Sequence, residues 1–128
     1  MDFLLDTHAL IWFVNGDKSL PHKSQEIIKD TGNRCYVSIA SIWEIAIKVS
    51  LNKLELNGGF DEISKIIVKH DFEILPISIE HVAAIIDLEF HHRDPFDRII
   101  ISQGMVESIP VITKDKNFGY YNIAILWE

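Results

Sequence analysis

Short apolar runs alternate with longer amphipathic stretches along the chain, and this alternation restricts the folds that it can adopt. The apolar runs lie at residues 2–6, 34–38, 72–77, 109–113 and 123–126. Strands that are separated by helices normally pair in parallel, and a parallel sheet needs helices on both of its faces. We therefore expect an α/β fold in which a mostly parallel central sheet forms the middle of three layers.

The stretches between the apolar runs are expected to be helices. They are predicted to follow residue 6 directly and then to cover 21–30, 39–51, 60–70, 79–90 and 95–107. On helical wheels, the predicted core face of 39–51 includes Ile39 and Trp43, and that of 79–90 includes Val82 and Ile86. The sequence contains no internal repeat or linker, so residues 1–128 are expected to form one domain.

The composition argues against several classes of protein. The formal net charge of −7 is unlike that of a generally basic protein that binds nucleic acid passively. No apolar stretch approaches the roughly 18 residues of a membrane-spanning helix, and Asp2 and Asp6 interrupt the first apolar run, unlike a signal peptide. Cys35 is the only cysteine, so an intrachain disulfide is impossible. We expect a cytoplasmic protein with no membrane partner.

Several acidic side chains are expected at one edge of the sheet. Asp6 ends the first strand, Asp115 follows the fourth strand, and Asp97 lies in the first turn of a helix that begins at Asp94. The carboxyl ends of parallel strands form the edge where α/β sheets usually bind ligands. A purely structural interpretation is also available, because Asp6, Asp94 and Asp97 are favoured at helix N-termini.

Glu44 lies in the first turns of the helix after the second strand, at the same expected edge. Its spacing alone favours an ion pair with Lys48, four residues later. If the acids converge, two carboxylates about 4 Å apart repel by roughly 4 kcal/mol at an effective dielectric constant near 20, so the cluster needs protons or cations. Carboxylate oxygens suit Mg²⁺ or Mn²⁺ rather than Zn²⁺, and such ions serve phosphoryl chemistry.

Four short motifs make the sequence similar to one family of nucleases. They are Leu4-Leu5-Asp6-Thr7-His8, Ser41-Ile42-Trp43-Glu44-Ile45, His92-Arg93-Asp94-Pro95-Phe96-Asp97-Arg98 and Thr113-Lys114-Asp115-Lys116-Asn117-Phe118. Each is weak alone, but together, in this order, they span nearly the whole chain. The chain resembles the PIN-domain ribonucleases, specifically the VapC-type toxins of bacterial toxin–antitoxin systems. The resemblance implies a PIN-like fold and a catalytic, metal-binding quartet of Asp6, Glu44, Asp97 and Asp115.

The resemblance also implies a reaction and partners. The reaction would be Mg²⁺- or Mn²⁺-dependent hydrolysis of RNA phosphodiester bonds, with Glu44 as a metal ligand or as the base that orients the water. Thr113 matches a hydroxyl residue near the metal, and Asp94 also fits the pattern, so both are secondary site residues. A small antitoxin and a second copy of the chain, as a homodimer, are the expected protein partners. Basic residues beside the acids would contact RNA phosphates or neutralise the acids: His91, Arg93, Arg98, Lys114 and Lys116.

The residues alone leave other functions open. A non-enzymatic interaction module would use the acids only as helix caps and ion-pair partners, and it would bind no stoichiometric Mg²⁺ or Mn²⁺. A metal-dependent phosphatase would also have an aspartate at a strand end, and Lys114 fits it, but His8 stands where such enzymes usually have a second aspartate. A zinc site of His91, His92 and Asp94 would rest on adjacent histidines in one loop, which is a weak signal.

Overall fold

The central sheet of the protein is entirely parallel. The computed structural model describes residues 1–127 and has a five-stranded sheet of order β3-β2-β1-β4-β5, with parallel pairing throughout. Its strands are β1 (Asp2–Leu5), β2 (Arg34–Ser38), β3 (Glu73–Leu75), β4 (Val111–Ile112) and β5 (Ile125–Leu126). The predicted mostly parallel sheet is confirmed, and β1 at its centre pairs with β2 and β4.

Helices follow the strands largely where the sequence predicts them. The α-helices are α1 (Thr7–Asn15), α2 (His22–Lys29), α3 (Ile39–Ser50), α4 (Asp61–Lys69), α5 (Ile79–Ala84) and α6 (Pro95–Glu107). The helix predicted over 79–90 is shorter than expected and continues only as a turn of 3₁₀ helix. The carbonyl oxygens of Ile85, Leu88 and Glu89 accept hydrogen bonds from the side chain of Arg98. A guanidinium thus replaces the backbone N–H groups that a longer helix would supply.

The two faces of β1 pack against different layers of helices. Phe3 and Leu5 belong to the hydrophobic cluster that α1, α2, α3 and α4 cover. Leu4 points to the other side, where it joins Ile100 of α6 in a second cluster. Such alternation follows from the two-residue period of a strand. The expected three-layer arrangement, with the sheet in the middle, is confirmed.

Two helix faces that the sequence pattern places in the core are exposed instead. Ile39 and Trp43 of α3 are 39% and 59% exposed, and Val82 and Ile86 near α5 are 53% and 83% exposed. Those predictions were wrong because a helical wheel identifies a wide apolar stripe but does not tell which part of it meets the core. On α3, Ile42, Ile45 and Val49 pack into the core, whereas Ile39 and Trp43 lie to one side of that stripe. We refer to these four residues, together with Ile79, as the exposed apolar face. No helix within residues 1–127 combines the length and apolar character needed to cross a lipid bilayer.

Candidate active site

Asp6 and Asp115 lie at the ends of neighbouring strands and are joined by Thr113. Leu5 of β1 pairs with Ile112 of β4, so the residues after both strands emerge at the same edge of the sheet. The Thr113 hydroxyl donates to Oδ2 of Asp6 at 2.5 Å and accepts the backbone N–H of Asp115 at 3.0 Å. The other carboxylate oxygen of Asp6 caps α1. The capping role of Asp6 is therefore observed, and it fixes the side chain at the sheet edge.

The start of α6 brings a third acid to this edge. Oδ1 of Asp94 accepts the backbone N–H groups of Phe96 at 2.8 Å and Asp97 at 3.2 Å, so Asp94 is the N-cap that the sequence predicts. Proline at the next position leaves no unpaired N–H there. The Asp97 side chain is thereby freed from capping and lies with Asp6 and Asp115 along one cleft.

Glu44 has one oxygen in an ion pair and one without a partner. Its Oε2 lies 3.0 Å from Nζ of Lys48, which is the pair that the spacing favours. Its Oε1 is buried and has no hydrogen-bond partner in the structure. A buried carboxylate oxygen without a donor is costly, so this atom is suited to an additional cation or donor. Both interpretations of Glu44 made from the sequence are thus compatible with its surroundings.

The acids line a cleft of about 300 Å³ with mixed polar and aromatic walls. Residues from α1, α6 and the segment after β4 line it: Asp6, His8, Trp12, Asp97, Lys114, Asp115 and Phe118. Polar groups converging in a concave, partly apolar site are typical of a ligand or active site.

Burial and mutual repulsion shift the titration of two of these carboxyl groups. Burial is the main cause that raises the pKa of Asp97 to about 6, and the negative charge of Asp94 is the second. His92 opposes the shift, and Glu44 and Asp6 add smaller contributions to it. Burial also raises the pKa of Asp6, although the Thr113 hydroxyl opposes the shift. The cleft therefore favours protons or cations near neutral pH.

The chemistry of the acids fits a divalent cation, although the side chains do not already enclose one. Within residues 1–127, no three histidine, cysteine, aspartate or glutamate side chains are arranged as a ready-made metal site. The donors around the cleft are carboxylate oxygens, which Mg²⁺ and Mn²⁺ prefer. The raised pKa of Asp97 and the unpaired Oε1 of Glu44 are both features that a cation would relieve. The chemistry of these donors thus fits such an ion.

The basic residues near the acids divide into two groups. Arg93, Lys114 and Lys116 are exposed. Lys114 lines the cleft, with its Nζ 5.8 Å from the centroid of the Trp12 ring. Arg98 is buried, and its side chain is occupied by backbone carbonyl groups of the loop before α6. This arrangement does not favour the expected contact of Arg98 with RNA phosphates, which stays a prediction.

The adjacent histidines point to different partners. Nε2 of His91 lies 2.8 Å from Oε2 of Glu89, on the surface. The side chain of His92 is buried, and its Nε2 lies 2.7 Å from Oδ2 of Asp115. Since Asp94 caps α6, the three residues of the alternative zinc site are each engaged elsewhere, and the described residues contain no such site.

Sequence reasoning missed two residues of the site. His92 contacts Asp115, and Trp12 forms part of the cleft wall. His92 precedes Asp94 by two residues, but this proximity gives no indication that its ring reaches a residue 23 positions later. Trp12 lies one turn after His8, and that shared helix face was the available signal.

A family model described as PIN domain matches residues 3–124. Three solved structures have similar folds. VapBC2 from Rickettsia felis, bound to a DNA fragment from its promoter, matches at 18% identity over 100% of both chains with a TM-score of 0.77. DNA-bound VapBC from Salmonella typhimurium matches at 14% identity over 98% of this chain and 97% of that one, TM-score 0.69. FitAcB from Neisseria gonorrhoeae matches at 18% identity over 97% and 96%, TM-score 0.66.

The solved structures establish the fold that the chain shares with them, since all three identities are below 20%. A search among curated protein sequences gives no significant match. A shared fold does not by itself determine activity or partners, which depend on the site.

Proposed function

The chain belongs to the PIN domain family, and from this membership we propose that it is a VapC-type toxin that hydrolyses RNA with the help of Mg²⁺ or Mn²⁺. The observation that carries the proposal is the convergence of Asp6, Asp97 and Asp115 on one cleft. These side chains come from β1, α6 and the end of β4, which are distant in sequence. Asp97 does not cap α6, because Asp94 does, so helix capping does not explain why its side chain lies beside the other two acids.

Each acid has a definite part in the proposed reaction. Asp6, Asp97 and Asp115 would hold one or two divalent ions, and Glu44 would add a ligand or orient the attacking water as a base. A bound divalent ion supplies Lewis-acid stabilisation of the charge that develops on the phosphate oxygens. Thr113 and the N-terminus of α1 hold Asp6 in a fixed orientation, so little reorganisation is needed when substrate arrives.

The cleft also offers contacts for a nucleic acid. Lys114 places a positive charge on the cleft wall for a phosphate, and Arg93 and Lys116 are exposed beside it. The half-buried ring of Trp12 lies on the same wall. Unpaired bases stack on such rings, which supports single-stranded RNA as the substrate class.

A small antitoxin is the proposed partner. VapBC complexes and a toxin–antitoxin complex from Klebsiella pneumoniae are among the proteins with this fold. In this chain α1, α2 and α4 border a groove of about 180 Å³, with Trp12, Leu20 and Ile66 on its walls. Trp12 lies on both the groove and the acidic cleft, so an amphipathic helix in the groove would direct an arginine or lysine towards the acids.

Cleavage and growth assays test this function together. Purified parent protein should cut RNA in the presence of Mg²⁺, EDTA should stop the cleavage, and sequencing of the RNA ends should reveal the site. Asp6→Ala should not cleave RNA in vitro and should not affect the growth of a bacterial host, whereas the parent should arrest growth. Co-expression of a small gene encoded beside the toxin should restore growth.

The possible failures of these assays have different meanings. A parent protein that binds Mg²⁺ but neither cuts RNA nor arrests growth would contradict the proposed activity. A parent that binds no Mg²⁺ or Mn²⁺ at all would favour the interaction module. Cleavage without growth arrest would contradict the toxin role and leave a nuclease.

We also propose that two copies associate through the exposed apolar face. α3 and α5, which carry this face, both pack against α6, and large exposed apolar surfaces usually mark interfaces. Light scattering should therefore give twice the mass of the 14.7 kDa chain. Val82→Glu should yield monomers, whereas Val68→Glu, on the exposed side of α4, should not. A monomeric parent protein would contradict this interface.

A further inference from the structure

His92 is a buried histidine that holds a carboxylate of the proposed site. Its side chain is 8% exposed, and its Nε2 lies 2.7 Å from Oδ2 of Asp115. Oδ1 of Asp115 accepts the backbone N–H of Asn117 at 2.9 Å. Both oxygens of Asp115 are therefore engaged, and the plane of the carboxylate is fixed by one side chain and one backbone group.

The surrounding structure fixes His92 through several independent contacts. Its backbone N–H donates to Oη of Tyr121 at 2.8 Å, and its carbonyl accepts from the guanidinium of Arg98 at 3.1 Å. The Tyr121 hydroxyl in turn donates to the carbonyl of Glu89 at 3.0 Å. The ring packs edge-on against Phe118, with centroids 5.0 Å apart. Groups from α6 and from the segment after β4 thus determine where the imidazole lies.

The second ring nitrogen shows which contact determines the orientation of the ring. Nε2 faces a carboxylate and donates to it, while Nδ1 is buried and has no partner in the structure. A buried imidazole nitrogen without a partner is unfavourable. The protein tolerates this cost and keeps the contact with Asp115. By contrast His81, which is also buried beside a carboxylate, uses both nitrogens, with Ser78 and Glu107.

We propose that His92 is a positioning residue of the active site, which sets the orientation of Asp115 for binding the divalent ion. The inference rests on the proposed function, because it assigns Asp115 as a metal ligand. Nε2–H occupies one lone pair of Oδ2 and holds the carboxylate in the cleft, so that a remaining lone pair is available to a cation without a search of rotamers. Hydrogen-bond partners of metal ligands commonly act in this way.

Removal of the donor should weaken metal binding without removing a ligand. In His92→Leu, Asp115 keeps its charge and the contact with Asn117 but loses the group that fixes Oδ2. Loss of such a partner typically lowers metal affinity or activity by about 10- to 100-fold. We therefore expect Mn²⁺ affinity and kcat to fall within that range, with a smaller change in the KM for RNA.

The experiment compares variants by calorimetric titration with Mn²⁺ and by RNA cleavage. His92→Gln retains an N–H donor near the position of Nε2 and should recover most of the lost affinity. The matched control is His81→Leu, which removes the other buried histidine–carboxylate pair at the far end of α6. It should lower the melting temperature but leave Mn²⁺ affinity unchanged. If His92→Leu does not fold, Tyr121→Phe replaces it in the experiment. This variant removes a support of the His92 backbone and should give a smaller loss of Mn²⁺ affinity.

The outcomes separate this inference from the proposed function. Mn²⁺ affinity of His92→Leu equal to that of the parent would overturn the positioning role while leaving the metal site intact. Equal losses in His92→Leu and His92→Gln would also overturn it, since the donor would then not matter. A parent protein that binds no Mn²⁺ would overturn both the inference and the proposed metal site.

Discussion

Asp97→Asn is expected to abolish RNA cleavage and, at the same time, to stabilise the metal-free protein. The side chain lies among other acids, and its raised pKa shows that burial and repulsion oppose its charge. Asparagine removes that charge with almost no change in volume. Loss of one group that stabilises a transition state electrostatically typically costs about 10²- to 10³-fold in kcat, so we expect at least a hundredfold loss of cleavage.

The gain in stability should depend on pH. The folded state holds the Asp97 proton up to about pH 6, whereas the unfolded state releases it near the ordinary aspartate pKa of 3.8. The metal-free parent therefore loses stability as the pH rises from about 4 to about 6, because the folded state binds more protons in that range. The Asn variant lacks this loss. Its advantage over the parent should reach about 1 kcal/mol above pH 6, after a discount for solvent screening of a partly exposed group, and vanish near pH 4.

Mg²⁺ should make the parent protein more stable than Asp97→Asn, which reverses their order of stability without metal. The ion binds the folded state and raises the melting temperature of the parent, whereas the variant has lost a ligand and gains less. Asp94→Asn is a matched control, since it removes one charge from the same turn and asparagine is an equally good N-cap. That variant should keep most of the cleavage activity. If Asp97→Asn cleaves RNA at the rate of the parent, Asp97 is not a catalytic residue, and its only role is that of an acidic side chain in the first turn of α6.

Arg98→Met is expected to destabilise the protein by about 3–5 kcal/mol, because several carbonyl groups lose a charged donor and each buried group left without a partner costs about 1–3 kcal/mol. The guanidinium donates to the carbonyl oxygens of Ile85, Leu88, Glu89 and His92. It also lies 4.1 Å from the centroid of the Phe90 ring. Methionine fills part of the space but donates no hydrogen bond, so carbonyl groups of the loop lose their partner. Such a loss is large compared with the free energy of unfolding of a typical domain, which is about 5–15 kcal/mol.

Urea unfolding of the variant and two companions checks this expectation. Arg98→Lys should also be destabilised, because an ammonium group does not reproduce the planar array of donors. Arg93→Met changes an exposed arginine of the same segment and should lie within about 0.5 kcal/mol of the parent. If Arg98→Met unfolds at the same urea concentration as Arg93→Met, the four backbone contacts contribute little.

The parts of the fold that local sequence determines were predicted well. Asp94 and Pro95 mark the start of α6, because a capping carboxylate followed by a residue without an N–H fits only that position. Asp6 could be placed at the edge of the sheet because an apolar run ends there and a helix begins without a turn. Parallel pairing then brings strand ends together, which is why the acids could be expected to meet.

The parts that depend on tertiary contacts were not predictable from local sequence. Nothing in the spacing shows that Arg98 turns away from the acids towards the loop before α6, since both directions are open to a residue of a first helical turn. The contact of His92 with Asp115 depends on how that loop is folded. The exposed side of Val82 is determined by which stripe of α5 meets α6, and an apolar residue is equally suited to a core and to an interface.

The pairing of β1 with β4 has a consequence for when the protein becomes active. Asp6 and Thr113 are 107 positions apart in the chain, yet they share a hydrogen bond at the centre of the site. Contacts of such long range form only after the intervening chain is available, so the site should assemble late in folding. A nascent polypeptide that has emerged only as far as α6 would lack Thr113 and Asp115 altogether. The proposed activity would thus arise only after the segment that follows β4 has been synthesised.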